Sequence, residues 1–233
     1  MAKQQEDKFG DIEVVLTRSE QFIENNQKKL LNGLIVVLVI VAAIFGYKKY
    51  ILEPRGEEAA SQLFGAQNYF EKDSLHLALN GDGNISGFID IADKYSSTAV
   101  GNLANYYAGI SYLYIGEYEN AITYLEKFSS DDFLVVNLAK SNIGDAYMQL
   151  ENYAKAAEYY NKAASSNKND FSTPLFLMKG ALASEKSDNY QAALKLYEQI
   201  KRDFPNSPEA RDVEKYVMRA EIILKKSLLS SKK

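Results

Sequence analysis

The strongest constraint on this chain is a short stretch of sequence that occurs three times. The copies are GEYENAITYLEKF, ENYAKAAEYYNKA and DNYQAALKLYEQI, which align on Tyr118, Tyr153 and Tyr190. The aligned tyrosines are 35 and 37 residues apart. A period of this length is typical of solenoids, in which repeated pairs of helices bury their apolar faces against their neighbours. The sequence therefore predicts an all-α fold of stacked helical hairpins.

Small residues recur at fixed places in each repeat. Every copy contains an alanine, and the helical segment before it contains a glycine twelve residues upstream in the first two repeats and thirteen upstream in the third. These pairs are Gly109 and Ala121, Gly144 and Ala156, and Gly180 and Ala193. We expect the two helices of a hairpin to cross closely at these residues. The longer spacing predicts one additional residue in the turn of the third hairpin.

This pattern resembles the tetratricopeptide repeat (TPR) family, whose signature has Gly-x2-Tyr in the first helix, two alanines flanking an aromatic residue or leucine in the second, and a closing proline. The matching residues are Gly109, Tyr112, Ala121 and Leu125; Gly144, Tyr147, Ala156, Tyr160 and Ala163; and Ala193, Tyr197 and Pro205. Phe128 replaces the last alanine of the first repeat, Ser184 replaces the tyrosine of the third, and the signature tryptophan is missing. The resemblance implies a right-handed superhelix.

The repeats define the organisation of the chain. We expect repeats at about 102–135, 137–170 and 173–207, a linker and degenerate helical pair at 48–101, and a capping helix with a tail at 208–233. Asp131 and Asp132, Thr173 with Pro174, and Ser207 with Pro208 are predicted to begin helices. The stretch LALNGDGN is predicted to be a loop, and the capping helix is predicted to pair an apolar face with a charged one.

An apolar segment precedes the repeats. Residues 30–47, LLNGLIVVLVIVAAIFGY, are uncharged and lie between Lys28-Lys29 and Lys48-Lys49. As a helix they would extend about 27 Å, close to the thickness of the hydrocarbon core of a bilayer. A buried core helix or a cleaved signal peptide fits less well, because lysines flank both ends and 29 residues come first. The segment predicts a single-pass signal anchor that contacts lipid from Leu30 to Tyr47.

The tail at 1–29 is polar, with apolar residues at helical spacing. Asp11 could cap an amphipathic helix formed by Ile12, Val15, Leu16, Ser19, Phe22 and Ile23. The helix would be a partly folded tail or a docking helix for a membrane partner. Three basic residues flank the span on each side, so the positive-inside rule does not assign its orientation.

Composition argues against most site chemistry. The chain has no cysteine, one histidine (His76) and a net charge of -4 without a basic cluster, so we expect no catalytic, cofactor or metal site and no nucleic-acid partner. NGDGN has the ligand alternation of a calcium loop, but Ile85 and Ile91 replace the required glycine and glutamate. The pattern is typical of a protein that binds other proteins.

The first helices of the hairpins are predicted to line a neutral, aromatic groove. Its predicted residues are Tyr106, Ile110, Leu113, Tyr114, Ser141, Asp145, Met148, Gln149, Leu177, Ala181 and Glu185. Aromatic and methionine side chains bury much area and adapt to varied partners. Packing against neighbouring helices is the alternative role for these side chains.

The order of tail, anchor and repeats, with FIENNQKK, KYSSTAVGNLANYYAG and the Asp-Asp-x4-Asn-Leu-Ala motif at 131–139, resembles the bacterial YfgM-like family. The resemblance implies an inner-membrane protein with a periplasmic TPR domain. It also implies an ancillary role at the Sec translocon and in periplasmic chaperone networks. Partners would then be translocon subunits, a periplasmic chaperone or exported clients.

Two other functions remain open at this point. The chain could be a scaffold that assembles an envelope or membrane complex by gripping one folded partner. Because flanking charge does not assign the orientation, it could also be a cytoplasm-facing regulatory TPR anchor.

Overall fold

A computed structural model describes the backbone of residues 2–230 and the side chains of residues 22–230. The chain divides into two compact units, residues 1–54 and 55–233. In the described part of the chain every regular element is helical, and no strand is present. The all-helical prediction is thus confirmed.

The first unit is a long helix, α1, Ala2–Tyr47, followed by a π-helical turn, Lys48–Leu52. Because α1 already includes residue 11, Asp11 lies within the helix and is not an N-cap, which corrects the predicted start. The side chains of residues 12, 15, 16 and 19, predicted to share one face of an amphipathic helix, lie outside the described residues. Apolar side chains of the 30–47 segment are exposed along α1. One stretch of the described residues, Phe22–Glu71, contains a window long and apolar enough to cross a membrane by length and composition.

The second unit is a series of helices joined by short turns. They are α2 (Glu53–Glu71), α3 (Leu75–Asn80), α4 (Phe88–Lys94), α5 (Ala99–Ile115), α6 (Tyr118–Lys127), α7 (Phe133–Gln149), α8 (Tyr153–Ser165), α9 (Thr173–Lys186), α10 (Tyr190–Asp203), a 3-10 turn (Glu209–Arg211) and α11 (Val213–Ser230). The three repeats correspond to the hairpins α5–α6, α7–α8 and α9–α10. Each second helix packs against both its own first helix and the next one.

One turn geometry joins the helices of all three hairpins. In each, the amide of the turn residue donates to the carbonyl three residues earlier, and the next amide donates to the carbonyl five residues earlier. The turn residues are Gly116, Glu151 and Asp188, with φ of 85°, 56° and 59°. Of the three, only Gly116 adopts a positive φ without steric cost, because glycine has no Cβ.

Substitution of the turn residue tests the energetic cost of its positive φ. Glu151→Gly should raise the free energy of unfolding by about 0.5–1 kcal/mol, because glycine removes the left-handed penalty at the expense of some chain entropy. Gly116→Ala should lower it by about 1 kcal/mol. Urea denaturation of the full chain in detergent, followed by circular dichroism, measures both. A destabilised Glu151→Gly variant would contradict the assignment.

The third hairpin does not contain the predicted additional residue. Its turn has the same hydrogen bonds as the second, from Asp188 N to Glu185 O and from Asn189 N to Ser184 O. Aligned on these bonds, Ala181 occupies the place of Gly144, and Gly180 precedes it by one. Ala181 is fully buried and lies twelve residues before Ala193. The sequence alignment on Gly180 was therefore wrong by one residue.

The N-terminal hairpin is α2–α3, and it uses the same turn. Asp73 N donates to Phe70 O and Ser74 N donates to Tyr69 O, with Asp73 at φ 58°. Residues 77–80 are helical, so the LALNGDGN stretch is only partly a loop. The segment 81–87 separates α3 from α4 in a tight loop, where a Cβ on Gly87 would overlap the carbonyl oxygen of Leu79. This hairpin thus has an interrupted second helix.

The predicted helix starts are partly corrected. Asp132 caps α7, since its carboxylate accepts from the amide of Leu134 at 2.8 Å. Ser172, not Thr173, is the N-cap of α9, which places Pro174 at the second helical position. The reason is a turn before the helix, in which the side chain of Asn169 accepts from the amide of Ser172 at 2.7 Å.

The C-terminal helix also differs from its prediction. Ser207 accepts from Ala210 N at 3.2 Å, but this bond closes a 3-10 turn, and α11 begins only at Val213. The face that includes Val213 is buried against α10 as expected. The opposite face is not wholly charged, because Met218 and Ile222 are exposed on it.

Close helix crossings hold each hairpin together. A Cβ on Gly109 would lie 2.5 Å from Leu125 Cγ, and a Cβ on Gly144 would lie 2.7 Å from the ring of Tyr160. The alanines 121, 156, 163 and 193 are all within 1% of full burial. Three tyrosine pairs pack with ring centroids 5.3–5.5 Å apart: Tyr112 and Tyr124 stack, Tyr197 and Tyr216 stack, and Tyr147 and Tyr159 are tilted. Pro205 is exposed after the end of α10.

Candidate protein-binding face

The first helices of the three hairpins, α5, α7 and α9, form a surface that we name the first-helix face. An ion pair links two of these helices, since Lys179 Nζ on α9 lies 2.9 Å from a carboxylate oxygen of Asp145 on α7. Ser141 lies 3.4 Å from the same amine. These contacts place α7 and α9 side by side, so that equivalent residues of successive repeats lie next to each other.

Seven of the predicted groove residues are accessible on this face. Tyr114 and Gln149 are exposed, and the others are partly buried: Tyr106, Leu113, Asp145, Met148 and Glu185. They lie toward the C-terminal halves of α5, α7 and α9. Of these, the structure brings Met148 and Glu185 together, since both line one cavity.

Four of the predicted groove residues are buried, so their assignment to the groove is wrong. Ile110, Ser141, Leu177 and Ala181 are 8%, 2%, 3% and 0% exposed. Ile110 and Ser141 point into the packing between hairpins, where Ile110 joins the apolar cluster of α6 and α7.

Leu177 and Ala181 were predicted from the alignment on Gly180. With the register set by the turn, the equivalent residues in α9 are Met178 and Leu182, which are partly accessible. This one-residue shift moves two apolar side chains from the predicted groove to the core and replaces them with two others.

A hydrogen-bonded cluster lies in the middle of the face. Asp145 accepts from the hydroxyl of Tyr160 at 2.6 Å and pairs with Lys179. Burial, then the hydrogen bond to this carboxylate, raises the pKa of Tyr160 well above its usual value. Because the lysine and the aspartate neutralise each other, this part of the face has little net charge.

An apolar cavity of about 550 Å³ lies at the C-terminal end of the face. Its walls include Met148, Leu182, Tyr190 and Ile223. Glu185 and Arg219 form an ion pair at its edge. A cavity of this size accommodates one or two large side chains of a ligand.

Aromatic side chains cover the other end. Tyr114 is 67% exposed and stacks on Phe70, with ring centroids 6.2 Å apart. Tyr106 packs on Phe128 at 5.2 Å, and burial raises its pKa. The face therefore offers aromatic surface at one end and an aliphatic cavity at the other.

Similarity to known proteins agrees with this geometry. Models of the tetratricopeptide repeat family match residues 106–170 and 176–207. The chain carries tetratricopeptide repeats. TPR proteins are generally non-enzymatic scaffolds for protein–protein interaction, and no catalytic family is indicated for this chain. No curated protein matches it.

The TPR fold also appears in a solved structure. The chain is similar to a point variant of nearly identical TPR-like repeats, from a Podosopora anserina protein described as a kinesin light chain, with a TM-score of 0.54 and 14% identity. The match covers 76% of this chain and 91% of the other. At this identity the similarity establishes the fold alone.

Sequence reasoning missed a set of leucines at one TPR position. Leu103, Leu138 and Leu175 each lie six residues before the small residue at the helix crossing. Leu138 and Leu175 are 38% and 42% exposed. The recurrence of leucine in all three repeats is visible in the sequence, but only when the third repeat is aligned in its corrected register.

In the loop after α3, the carboxylate of Asp82 is hydrogen-bonded to the backbone of the same loop. Asp82 accepts from the amides of Asn84 and Ile85 at 2.9 and 2.8 Å, and from the hydroxyl of Tyr69 at 2.7 Å. These bonds hold the pKa of Asp82 below its usual value. Among the side chains that the structure describes, no group of three or more His, Asp or Glu could hold a metal ion. The loop closes the N-terminal hairpin.

Proposed function

We propose that this protein is a membrane-anchored TPR adaptor that binds polypeptide partners with its first-helix face. The anchor would place that face on the periplasmic side of a bacterial inner membrane, beside the Sec translocon. The observation that carries the proposal is the joining, in one chain, of an exposed apolar 30–47 helix to a TPR array. None of the apolar window of that helix is buried, and such a surface is stable only in lipid or against another protein.

The chemistry of the first-helix face supports a polypeptide ligand. Its accessible residues are mainly aromatic and aliphatic, with a neutralised Asp145–Lys179 pair at the centre. Apolar side chains of a ligand can be buried there without leaving an unpaired charge. An exposed aromatic such as Tyr114 adds large contact area at low entropic cost.

The periplasmic and translocon assignment is supported by the resemblance of the chain to the YfgM-like family. That family shares the order of polar tail, single anchor and TPR domain. The lysine pairs at both ends of the anchor suit either orientation, so the orientation is the first property to measure.

Topology is tested by placing one cysteine in a chain that has none. Lys168 is exposed between α8 and α9, so Lys168→Cys reports on the TPR domain, and Gln4→Cys reports on the tail. A membrane-impermeant maleimide, applied to cells with a permeabilised outer membrane, should label only the first. Labelling of Gln4→Cys alone would overturn the periplasmic assignment.

Partner binding is tested by photo-crosslinking in cells. A photoreactive phenylalanine at Tyr114 should capture translocon subunits and a range of exported chains. The same residue at Lys195, exposed on α10, is the matched control. One stoichiometric folded partner at Tyr114 would favour a scaffold, and equal products at both positions would contradict binding on the first-helix face.

A further inference from the structure

An apolar ridge lies near the N-terminal ends of α7 and α9. On α7 it consists of Leu134 and Leu138, which are 47% and 38% exposed. Its other members are Phe171, just before α9, and Leu175, in the first turn of α9, which are 88% and 42% exposed. Leu134 and Phe171 occupy equivalent positions in their repeats, as do Leu138 and Leu175. Contiguous exposed apolar patches mark interaction sites.

The ion pair between the two helices fixes the ridge as one surface. Lys179 contacts Ser141 and Asp145, and Leu138 and Leu175 lie one helical turn before this contact. Leu134 and Phe171 lie one further turn away. Leu134, Leu138 and Leu175 therefore lie on two neighbouring helices, and Phe171 lies in the loop just before α9.

A cavity extends the ridge toward the first TPR. It has a volume of about 620 Å³ and lies between α5 and α7, where Leu103, Phe128 and Val135 supply apolar walls. Leu103 occupies the position of Leu138 and Leu175. The apolar surface therefore continues across all three repeats.

Carboxylates border this surface. Asp131, Asp132 and Asp170 are all exposed, and the first two also line the cavity. Asp170 shares a neighbouring recess with a fourth carboxylate, Asp203. The border of the ridge is therefore rich in negative charge.

Among the described side chains, the nearby Lys140 and Lys168 form no ion pair with Asp131, Asp132 or Asp170. Lys140 Nζ is held by Ser166 Oγ at 3.1 Å, at the end of α8. Lys168 lies beside Asp203, whose pKa is lowered mainly by Arg202 and further by Lys168. The amide of Leu134 takes one oxygen of Asp132, which leaves the charge of Asp131 and Asp170 available to a ligand.

We propose that the ridge binds a cationic amphipathic polypeptide segment, whose apolar side chains cover the ridge and whose lysines or arginines meet the aspartates. This inference rests on the proposed polypeptide-binding function and adds the chemical class of the ligand. Apolar burial supplies most of the affinity, and the carboxylates select for positive charge and accelerate association.

Three labelled peptides test the charge and the apolar requirement separately. The probe is an amphipathic peptide of leucine and lysine, about five helical turns long. One matched peptide has glutamate for lysine, and the other has serine for leucine. Fluorescence anisotropy is measured on the full chain in a non-ionic detergent, with empty micelles as the blank. The leucine–lysine peptide should bind at least about ten-fold more tightly than either matched peptide, and more weakly at high salt.

Variants locate the site. Phe171→Ser with Leu134→Ser should weaken binding of the leucine–lysine peptide by about ten-fold or more. Asp131→Asn with Asp132→Asn and Asp170→Asn should abolish the preference for lysine over glutamate, while asparagine retains the cap of α7. Met218→Ser with Ile222→Ser removes apolar groups of comparable exposure from α11 and should leave binding unchanged.

The outcomes separate this inference from the proposed function. Peptide binding that is insensitive to the ridge variants but lost in Tyr114→Ser would overturn the ridge and retain a polypeptide-binding face. Failure of every peptide to bind, together with absence of crosslinks at Tyr114, would overturn both. A concentration-dependent dimer that is lost in the Phe171 and Leu134 variant would show that a second copy of the chain covers the ridge, and would also overturn the inference.

Discussion

Tyr160→Ala should lower the free energy of unfolding by about 3–5 kcal/mol. The ring is 2% exposed and fills the space between two first helices. The ring faces Gly144 on one side, and the Cβ of Tyr160 lies 3.5 Å from the Cβ position of Gly180 on the other. Its hydroxyl bonds to Asp145. Removal of the ring leaves a cavity at the junction of the second and third TPRs and removes a hydrogen-bond donor to Asp145.

Two conservative variants separate the ring from its hydroxyl. Tyr160→Phe should cost about 1–2 kcal/mol, because Asp145 loses a charge-assisted hydrogen bond. Tyr197→Phe is the matched control at the equivalent position of the third repeat. The Tyr197 hydroxyl is buried and has no hydrogen-bond partner among the described residues, although Arg219 lies nearby. Its removal should therefore be neutral or stabilising by up to about 1 kcal/mol.

Urea denaturation of the full chain, followed by circular dichroism, measures these three variants. Equal effects of the two phenylalanine variants would show that the Asp145 bond does not contribute to stability. A loss below about 1 kcal/mol for Tyr160→Ala would contradict the role of the ring in joining the repeats.

Gly144→Ala and Gly180→Ala should change stability in opposite directions. A Cβ on Gly144 would lie 2.7–3.0 Å from three ring atoms of Tyr160. The ring cannot easily move away, because its hydroxyl is hydrogen-bonded to Asp145. We expect a net loss of about 1–2 kcal/mol, since overpacking outweighs the better helix propensity of alanine. A Cβ on Gly180 meets only Asn161 Oδ1 at 3.1 Å and other atoms at 3.5 Å. The side chain of Asn161 can move, so Gly180→Ala should stabilise by up to about 1 kcal/mol.

The same denaturation experiment decides between the two registers of the third repeat. If Gly180 occupied the place of Gly144, both alanine variants would be destabilised. A stabilised Gly180→Ala beside a destabilised Gly144→Ala would support the register in which Ala181 lies at the crossing.

The parts of the fold that depend on local periodicity could be predicted from the sequence. Tyr118, Tyr153 and Tyr190 begin equivalent helices because their repeats share one pattern of small and large residues. The crossing at Gly144 was also predictable, since only a small residue allows the ring of Tyr160 to approach. These features are set by residues that lie close together in the chain.

Other features depend on information that the repeat pattern does not contain. The third repeat has two adjacent small residues, Gly180 and Ala181, and only the turn at Asp188 decides which one lies at the crossing. The N-terminal helical pair was predicted, but the end of α3 was assigned to a loop, because residues 81–87 interrupt the second helix of that hairpin. The apolar ridge was missed because Phe171 lies outside the helical pattern, in the loop before α9.

The phenol–carboxylate hydrogen bonds between the helices also affect the intrinsic fluorescence of this protein. The chain has 17 tyrosines and no tryptophan, so phenol groups dominate its intrinsic emission. Tyr159 donates to Glu126 and Tyr160 donates to Asp145, both at 2.6 Å. An excited phenol transfers its proton readily to a bonded carboxylate, which quenches its emission. We therefore expect the emission of these two tyrosines to increase when the TPR helices separate, so that assembly of the repeats can be followed without an added fluorophore.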